Sequence, residues 1–104
     1  MDVEDFKDEV AINCSIIFFS GEKFCKPCRA IKPYFFELKE KYPNVHFFYV
    51  DIETNEALAS YYGIKSVPAF FSMRNGTKIS NFTGANKDML LKSVKHLSDT
   101  AGFC

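Results

Sequence analysis

The chain has 104 residues, enough for one hydrophobic core and too few for two, so a single domain over 1–104 is expected. Lysine plus arginine equals aspartate plus glutamate, 13 against 13, which leaves no basic field and argues against nucleic acid as a partner. No stretch approaches the roughly 18 apolar residues of a membrane span, and the acidic opening "MDVEDFKDEVA" lacks the apolar run of a signal peptide, so the chain is expected in the cytoplasm.

In chain order, "VEDFKDEV" (3–10) reads as a short helix with Phe6 and Val10 on one face. "CSIIFFS" (14–20) is a continuous apolar run of strand length, the pattern of a central strand buried on both faces. Gly21 opens a turn over 21–24. From Cys25 to Tyr42 the period becomes helical: Ile31, Phe35, Leu38 and Tyr42 share a face, and Lys32, Lys39, Glu40 and Lys41 take the remaining surface. Pro27 suits a first helical turn, whereas Pro33 lies inside the pattern and should kink it. "NVHFFYV" (44–50) reads as a second buried strand, and "NEALASYYG" (55–63) as a short helix ending at Gly63. "AFFSM" and "KISNFT" flank "RNGT", where Asn75–Gly76 signals a tight hairpin turn. A last helix over 87–97, capped by Asn86, buries Leu90, Leu91, Val94 and Leu97, and 99–104 is expected to form a flexible tail.

A helix between the first two strands makes a right-handed crossover and forces them parallel. The hairpin adds two antiparallel strands. The expected fold class is α/β, a mixed sheet of four strands, or five if an N-terminal edge strand exists, flanked by helices.

The chemistry concentrates in "KFCKPCRAIKP" (23–33), where Cys25 and Cys28 stand three apart. Such a pair is a redox centre, half of a metal site, or two inert thiols. Zinc needs about four ligands, and the remaining candidates, Cys14, Cys104, His46 and His96, are scattered without paired spacing. A disulfide scaffold belongs to small secreted chains that lack a core. Cys25 follows a buried strand and opens a helix, where unpaired amides and the positive end of the dipole favour an anion. Its thiolate should therefore form below the free value of about 8.5. Cys28, one turn further in, is better shielded and close enough to close a disulfide. That geometry makes Cys25 the attacker and Cys28 the resolver.

These residues resemble the thioredoxin family from about 14 to 97. "FCKPCRAIKP" is similar to the family's Trp-Cys-Gly-Pro-Cys segment and the proline that follows it. "YGIKSVPAFF" is similar to the segment with its cis-proline, here Pro68, and "NFTGANKDMLLKSV" to its last glycine, Gly84, and closing helix. "IKPYFFELKEKYPNVHFFYVDIE" is especially like cytosolic eukaryotic thioredoxins. The resemblance implies reversible thiol–disulfide exchange on disulfide-containing protein substrates. It implies no bound cofactor beyond the redox-active Cys25–Cys28 disulfide, electrons from NADPH through thioredoxin reductase, peroxiredoxin as a further partner, and a monomer. The site it implies places Phe24, Lys26 and Pro27 beside the cysteines, Val67 and Pro68 as an opposing wall for an extended substrate strand, and Gly84 as room for that substrate.

The chain departs from the family at five points. Lys26 stands where the family has glycine, and Phe24 where it has tryptophan. The family's buried acid on the central strand falls on Phe18 or Phe19, so Cys28 must pass its proton to water, Lys26, Asp51 or Glu53. The turn "SGEKF" is one residue longer. Little chain precedes the first helix, which leaves little room for the family's first edge strand. Cys14 is expected as a small buried residue of the strand and Cys104 as the incidental end of a tail. Two rival functions remain at this point: a thioredoxin-fold adaptor or chaperone module with weak redox activity, and an oxidoreductase reduced by glutathione.

Overall fold

The structure, a computed structural model, describes residues 2–103. The elements are α1 (Val3–Ala11), β1 (Cys14–Ser20), α2 (Lys26–Lys41), β2 (His46–Asp51), α3 (Glu56–Tyr61), β3 (Ala69–Arg74), β4 (Thr77–Thr83), α4 (Lys87–Asp99) and a 3₁₀ turn over Ala101–Phe103. They form one four-stranded sheet in the order β2-β1-β3-β4. β1 pairs in parallel with β2, and β1–β3 and β3–β4 are antiparallel.

β1 is central because all seven of its side chains are buried, which only helices on both faces allow. Alternation along it divides the core. Cys14, Ile16 and Phe18 pack with Ile31, Phe35 and Leu38 of α2 and with Leu90, Val94 and Leu97 of α4. Ile17 and Phe19 face the opposite way, toward Phe6 and Val10 of α1 and Leu58 of α3. The expected mixed sheet between helices is therefore present, with α2 and α4 on one face and α1 and α3 on the other. Leu91, expected in the core, is only half-buried against it.

One expectation is corrected. Residues 44–50 do not form a second buried strand: β2 starts at His46, its first residue is exposed, Phe47, Phe48 and Tyr49 are half-buried, and only Val50 is fully buried. β2 lies at the edge of the sheet, where the helical layers roof it only in part. An apolar run of strand length cannot distinguish that position from a central one. The chain before β1 is spent on α1, which Asp2 caps by accepting from the Asp5 amide at 2.9 Å. Among the described residues no strand pairs the outer side of β2.

α2 runs without a break through Pro33. α4 extends two residues past the expected end, to Asp99, and its C-cap Thr100 receives a hydrogen bond from Arg74 Nη2 at 2.6 Å. Cys104, expected at the end of a tail, lies outside the described residues. Cys14 is buried among the α2- and α4-facing core residues.

The hairpin turn places Asn75 at φ 49° and Gly76 at φ 85°, the left-handed pair that a two-residue type I′ turn requires. A Cβ on Gly76 would also stand 3.3 Å from Cα of Ala11. Gly76→Ala is expected to cost about 1–2 kcal/mol from the left-handed conformation alone. Urea unfolding measures it, and an unchanged midpoint would show that the turn relaxes without cost.

Candidate active site

Cys25 is the N-cap of α2, at φ −103° and ψ 98°, and Pro27 lies within the first turn. There proline loses nothing, because its missing N–H would have had no intrahelical acceptor. The cap position brings Cys25 Sγ within 3.2 Å of the Cys28 backbone N–H, which donates to it. Cys25 and Cys28 form a disulfide with their Cα atoms 5.3 Å apart, inside the usual range for such bonds. In the reduced protein the same amide and the positive helix end would face a Cys25 thiolate. Both effects favour the ionised form.

The two sulfurs differ in access. Cys25 is 6% exposed and Cys28 is 0% exposed. An incoming disulfide can therefore meet only Cys25 first, the order the helix position suggests.

Around the pair, Lys26 and Pro27 are exposed. Phe24 is 64% exposed yet its ring covers Gly21, where a Cβ would come within 2.5 Å of Cζ. A side chain at Gly21 would have to push that exposed ring aside. The Val67–Pro68 peptide is cis, and Val67 packs against the cluster that contains Cys25 and Cys28. The Pro68 carbonyl accepts the Gly84 amide at 2.9 Å, which ties Gly84 to Pro68. Gly84 adopts φ 95° and a Cβ there would meet no atom within 4 Å. Its glycine is required by backbone conformation, and the space beside it is open.

The alternatives for the missing acid resolve to Phe18. Phe18 shares its face and its cluster with Cys25 and Cys28, while Phe19 points into the opposite layer. Phe18 is fully buried and packs on Phe35, Tyr49 and Phe70 at ring-centroid distances of 5.1, 5.2 and 4.6 Å.

The long turn "SGEKF" has its own support, which sequence reading missed. Arg29 Nη1 donates to the Glu22 and Lys23 carbonyls at 3.2 and 3.1 Å. Glu53 Oε1 accepts the Lys23 amide at 3.1 Å. Glu22 accepts from Lys32 Nζ at 2.9 Å through Oε1 and is hydrogen-bonded through Oε2 to the Tyr49 hydroxyl. The Tyr49 hydroxyl also stands 3.1 Å from Ser20 Oγ. These contacts span 6 to 30 positions of sequence, and no periodic pattern reveals them. In the folded sheet the register of the two parallel strands sets Phe18 opposite Tyr49. Among the described residues no three His, Cys, Asp or Glu side chains gather as metal ligands would.

A charge effect of Lys26 on the redox balance can be tested by substitution. A cation beside the pair stabilises the thiolate and with it the reduced state, so removing it should make the pair less oxidising. The side chain is exposed, and a solvated charge should contribute at most about 1.4 kcal/mol, or about 30 mV for a two-electron couple. Lys26→Gly is expected to lower the potential by no more than that, measured by equilibration with glutathione buffers. A rise, or a fall well beyond that figure, would rule the charge effect out.

Comparison with known proteins agrees with this geometry. The thioredoxin family model matches residues 1–96. The chain is 40% identical over 82 residues to human thioredoxin, covering 79% of this chain and 77% of that protein. It is 35% identical over 97 residues to the thioredoxin of Ophiophagus hannah, covering 90% and 91%. Among solved structures it superposes on Fasciola hepatica thioredoxin with a TM-score of 0.82 at 29% identity, covering 90% and 89%. It also superposes, at a TM-score of 0.85, 24% identity and 91% and 90% coverage, on a chain from a study of the thiol resolving mechanism of yeast mitochondrial 1-Cys peroxiredoxin via glutathione and thioredoxin systems. A close cysteine pair at a helix start, in this fold and with these relatives, makes the chain a member of the thioredoxin family and a dithiol–disulfide oxidoreductase whose redox group is its own Cys25–Cys28 disulfide.

Proposed function

We propose that the protein reduces disulfides in other proteins, with Cys25 as attacking thiolate and Cys28 as resolving thiol, and that thioredoxin reductase returns electrons to it from NADPH. The observation that carries this reading is the asymmetry of the pair: Cys25 is the accessible sulfur at the helix cap and Cys28 the fully buried one behind it. Cys25 attacks one sulfur of the substrate disulfide and forms a mixed disulfide, releasing the other sulfur as a thiolate. Cys28 then attacks Cys25, closing the intramolecular disulfide and releasing the second substrate thiolate.

Val67 and Pro68 form the wall against which an extended substrate segment would lie, with open space at Gly84 for its approach. Phe24 offers an exposed apolar ring beside Cys25. A protein that donates electrons fits the cytoplasm, where thiols are kept reduced; no helix among the described residues is long and apolar enough to cross a membrane. The fold likeness to the yeast chain makes a peroxiredoxin a candidate partner.

Reduction of insulin disulfides, followed by NADPH consumption with thioredoxin reductase, tests the reading. Turnover with the reductase well above turnover with glutathione supports it. Turnover with glutathione alone would replace the reductant, and no turnover with either would overturn the activity assigned to the pair.

A further inference from the structure

Cys28 must lose a proton before it can attack, and it is fully buried. Among the described residues the buried polar side chains are Ser15, Ser20 and Ser72. No carboxylate is among them. Ser20 ends β1, next to the turn that leads to Cys25, and by alternation it shares the face of Phe18 and hence of the cysteine cluster.

A chain of hydrogen-bonded groups leads outward from Ser20. Its Oγ stands 3.1 Å from the Tyr49 hydroxyl, which is bonded in turn to Glu22 Oε2. A phenol carries one proton and an ionised carboxylate only accepts, so Tyr49 donates to Glu22 and receives from Ser20. Tyr49 packs against the cluster that contains Cys25 and Cys28. Lys32, four residues after Cys28 and so on the same face of α2, holds Glu22 Oε1 at 2.9 Å and lies 4.7 Å from the Tyr49 ring centroid. The Glu22 side chain is 38% exposed, which lets the network exchange protons with water.

The other charged groups nearby are committed elsewhere. Arg29 binds backbone carbonyls of the turn, Glu53 holds the Lys23 amide, and Asp51 Oδ1 accepts the Glu53 amide at 3.1 Å. Lys26 is exposed at the helix start. Glu22, Lys32 and Tyr49 are the titratable groups that meet in the network.

We infer that Glu22 is the proton acceptor for Cys28 in the resolving step, reached through the hydroxyls of Tyr49 and Ser20, in the place of the buried acid that Phe18 displaces. This rests on the reading of Cys28 as the resolving thiol. In the mixed disulfide the Cys28 S–H proton passes to the hydroxyl chain, and Glu22 takes up one proton at its outer end. The freed electron pair on Cys28 forms the bond to Cys25. The bond from Cys25 to the substrate sulfur breaks, and its electron pair leaves on the substrate thiolate. The cysteine pair is oxidised by two electrons and the substrate disulfide is reduced by two. Glu22 returns its proton to water.

The two steps can be separated with 5,5′-dithiobis(2-nitrobenzoate), an aromatic disulfide. Attack by Cys25 of the reduced protein releases one coloured thiolate, and resolution by Cys28 releases the second. Glu22→Gln and Tyr49→Phe are each expected to slow the second release about tenfold or more near pH 7 and to leave the first unchanged. The deficit should vanish well above about pH 8.5, where a thiol ionises without help. Glu37→Gln, at the Lys41 pair further along α2, is expected to behave as wild type. A second phase within twofold of wild type at every pH in both Glu22→Gln and Tyr49→Phe would overturn the assignment. So would a slowing that persists unchanged into alkali, which marks altered packing. Absence of the first release from the wild-type protein would instead remove the reading of Cys25 as the attacker.

Discussion

Cys25→Ser should leave no detectable disulfide reduction, and Cys28→Ser should stop after one half-turnover with the substrate covalently held. The two outcomes differ because the two sulfurs occupy different positions on one helix. Serine at the α2 cap can still accept the Cys28 amide, so the fold should survive. A hydroxyl there stays protonated near neutrality and does not attack disulfides, so nothing starts. Serine at 28 leaves the cap thiolate intact and removes only the group that closes the cycle. Non-reducing electrophoresis with a disulfide-containing protein should show a mixed disulfide for Cys28→Ser that dithiothreitol releases, and none for Cys25→Ser. Trapping by Cys25→Ser would reverse the assigned order. Normal turnover by Cys25→Ser would remove the pair from the reaction altogether.

Much of this site was legible in the sequence because its parts lie close together along the chain. The helix start, the cysteine spacing, Pro27 and the preceding apolar strand are all local features. They predict the cap, the dipole and the sulfur pair. The hairpin was legible for a similar reason, since Asn75–Gly76 is a short signal for backbone at positive φ. What escaped depends on contacts between distant segments. Whether Phe18 or Phe19 faced the cysteines turned on one residue of register in a lengthened turn. The partners of Glu22 lie on α2 and on β2, and Lys32 reads in sequence only as a solvated helix residue. The edge position of β2 was hidden because a Phe-rich run looks alike in the centre of a sheet and at a half-roofed edge.

The largest stability effect is expected at Phe18. Its ring meets Phe35 of α2, Tyr49 of β2 and Phe70 of β3, so it joins three elements beneath the cysteine helix. Phe18→Ala removes buried apolar surface and leaves a cavity that these rings can fill only in part. The loss should be about 3–5 kcal/mol, a large share of the roughly 5–15 kcal/mol that holds a domain together. For a chain of this size that corresponds to a fall of more than about 12 °C in Tm. Thermal unfolding measures it, and a loss below about 1 kcal/mol would mean that the surrounding rings collapse into the space. Phe18→Asp should fare no better. The strand register sets Tyr49 opposite, and a phenol supplies no positive charge for a carboxylate buried among aromatic rings. An unpaired buried charge costs several kcal/mol or forces the group to stay neutral. The aromatic hub and a central acid are thus alternative solutions for this position. Having adopted the first, the chain has a reason to carry its proton chemistry outward along Ser20, Tyr49 and Glu22.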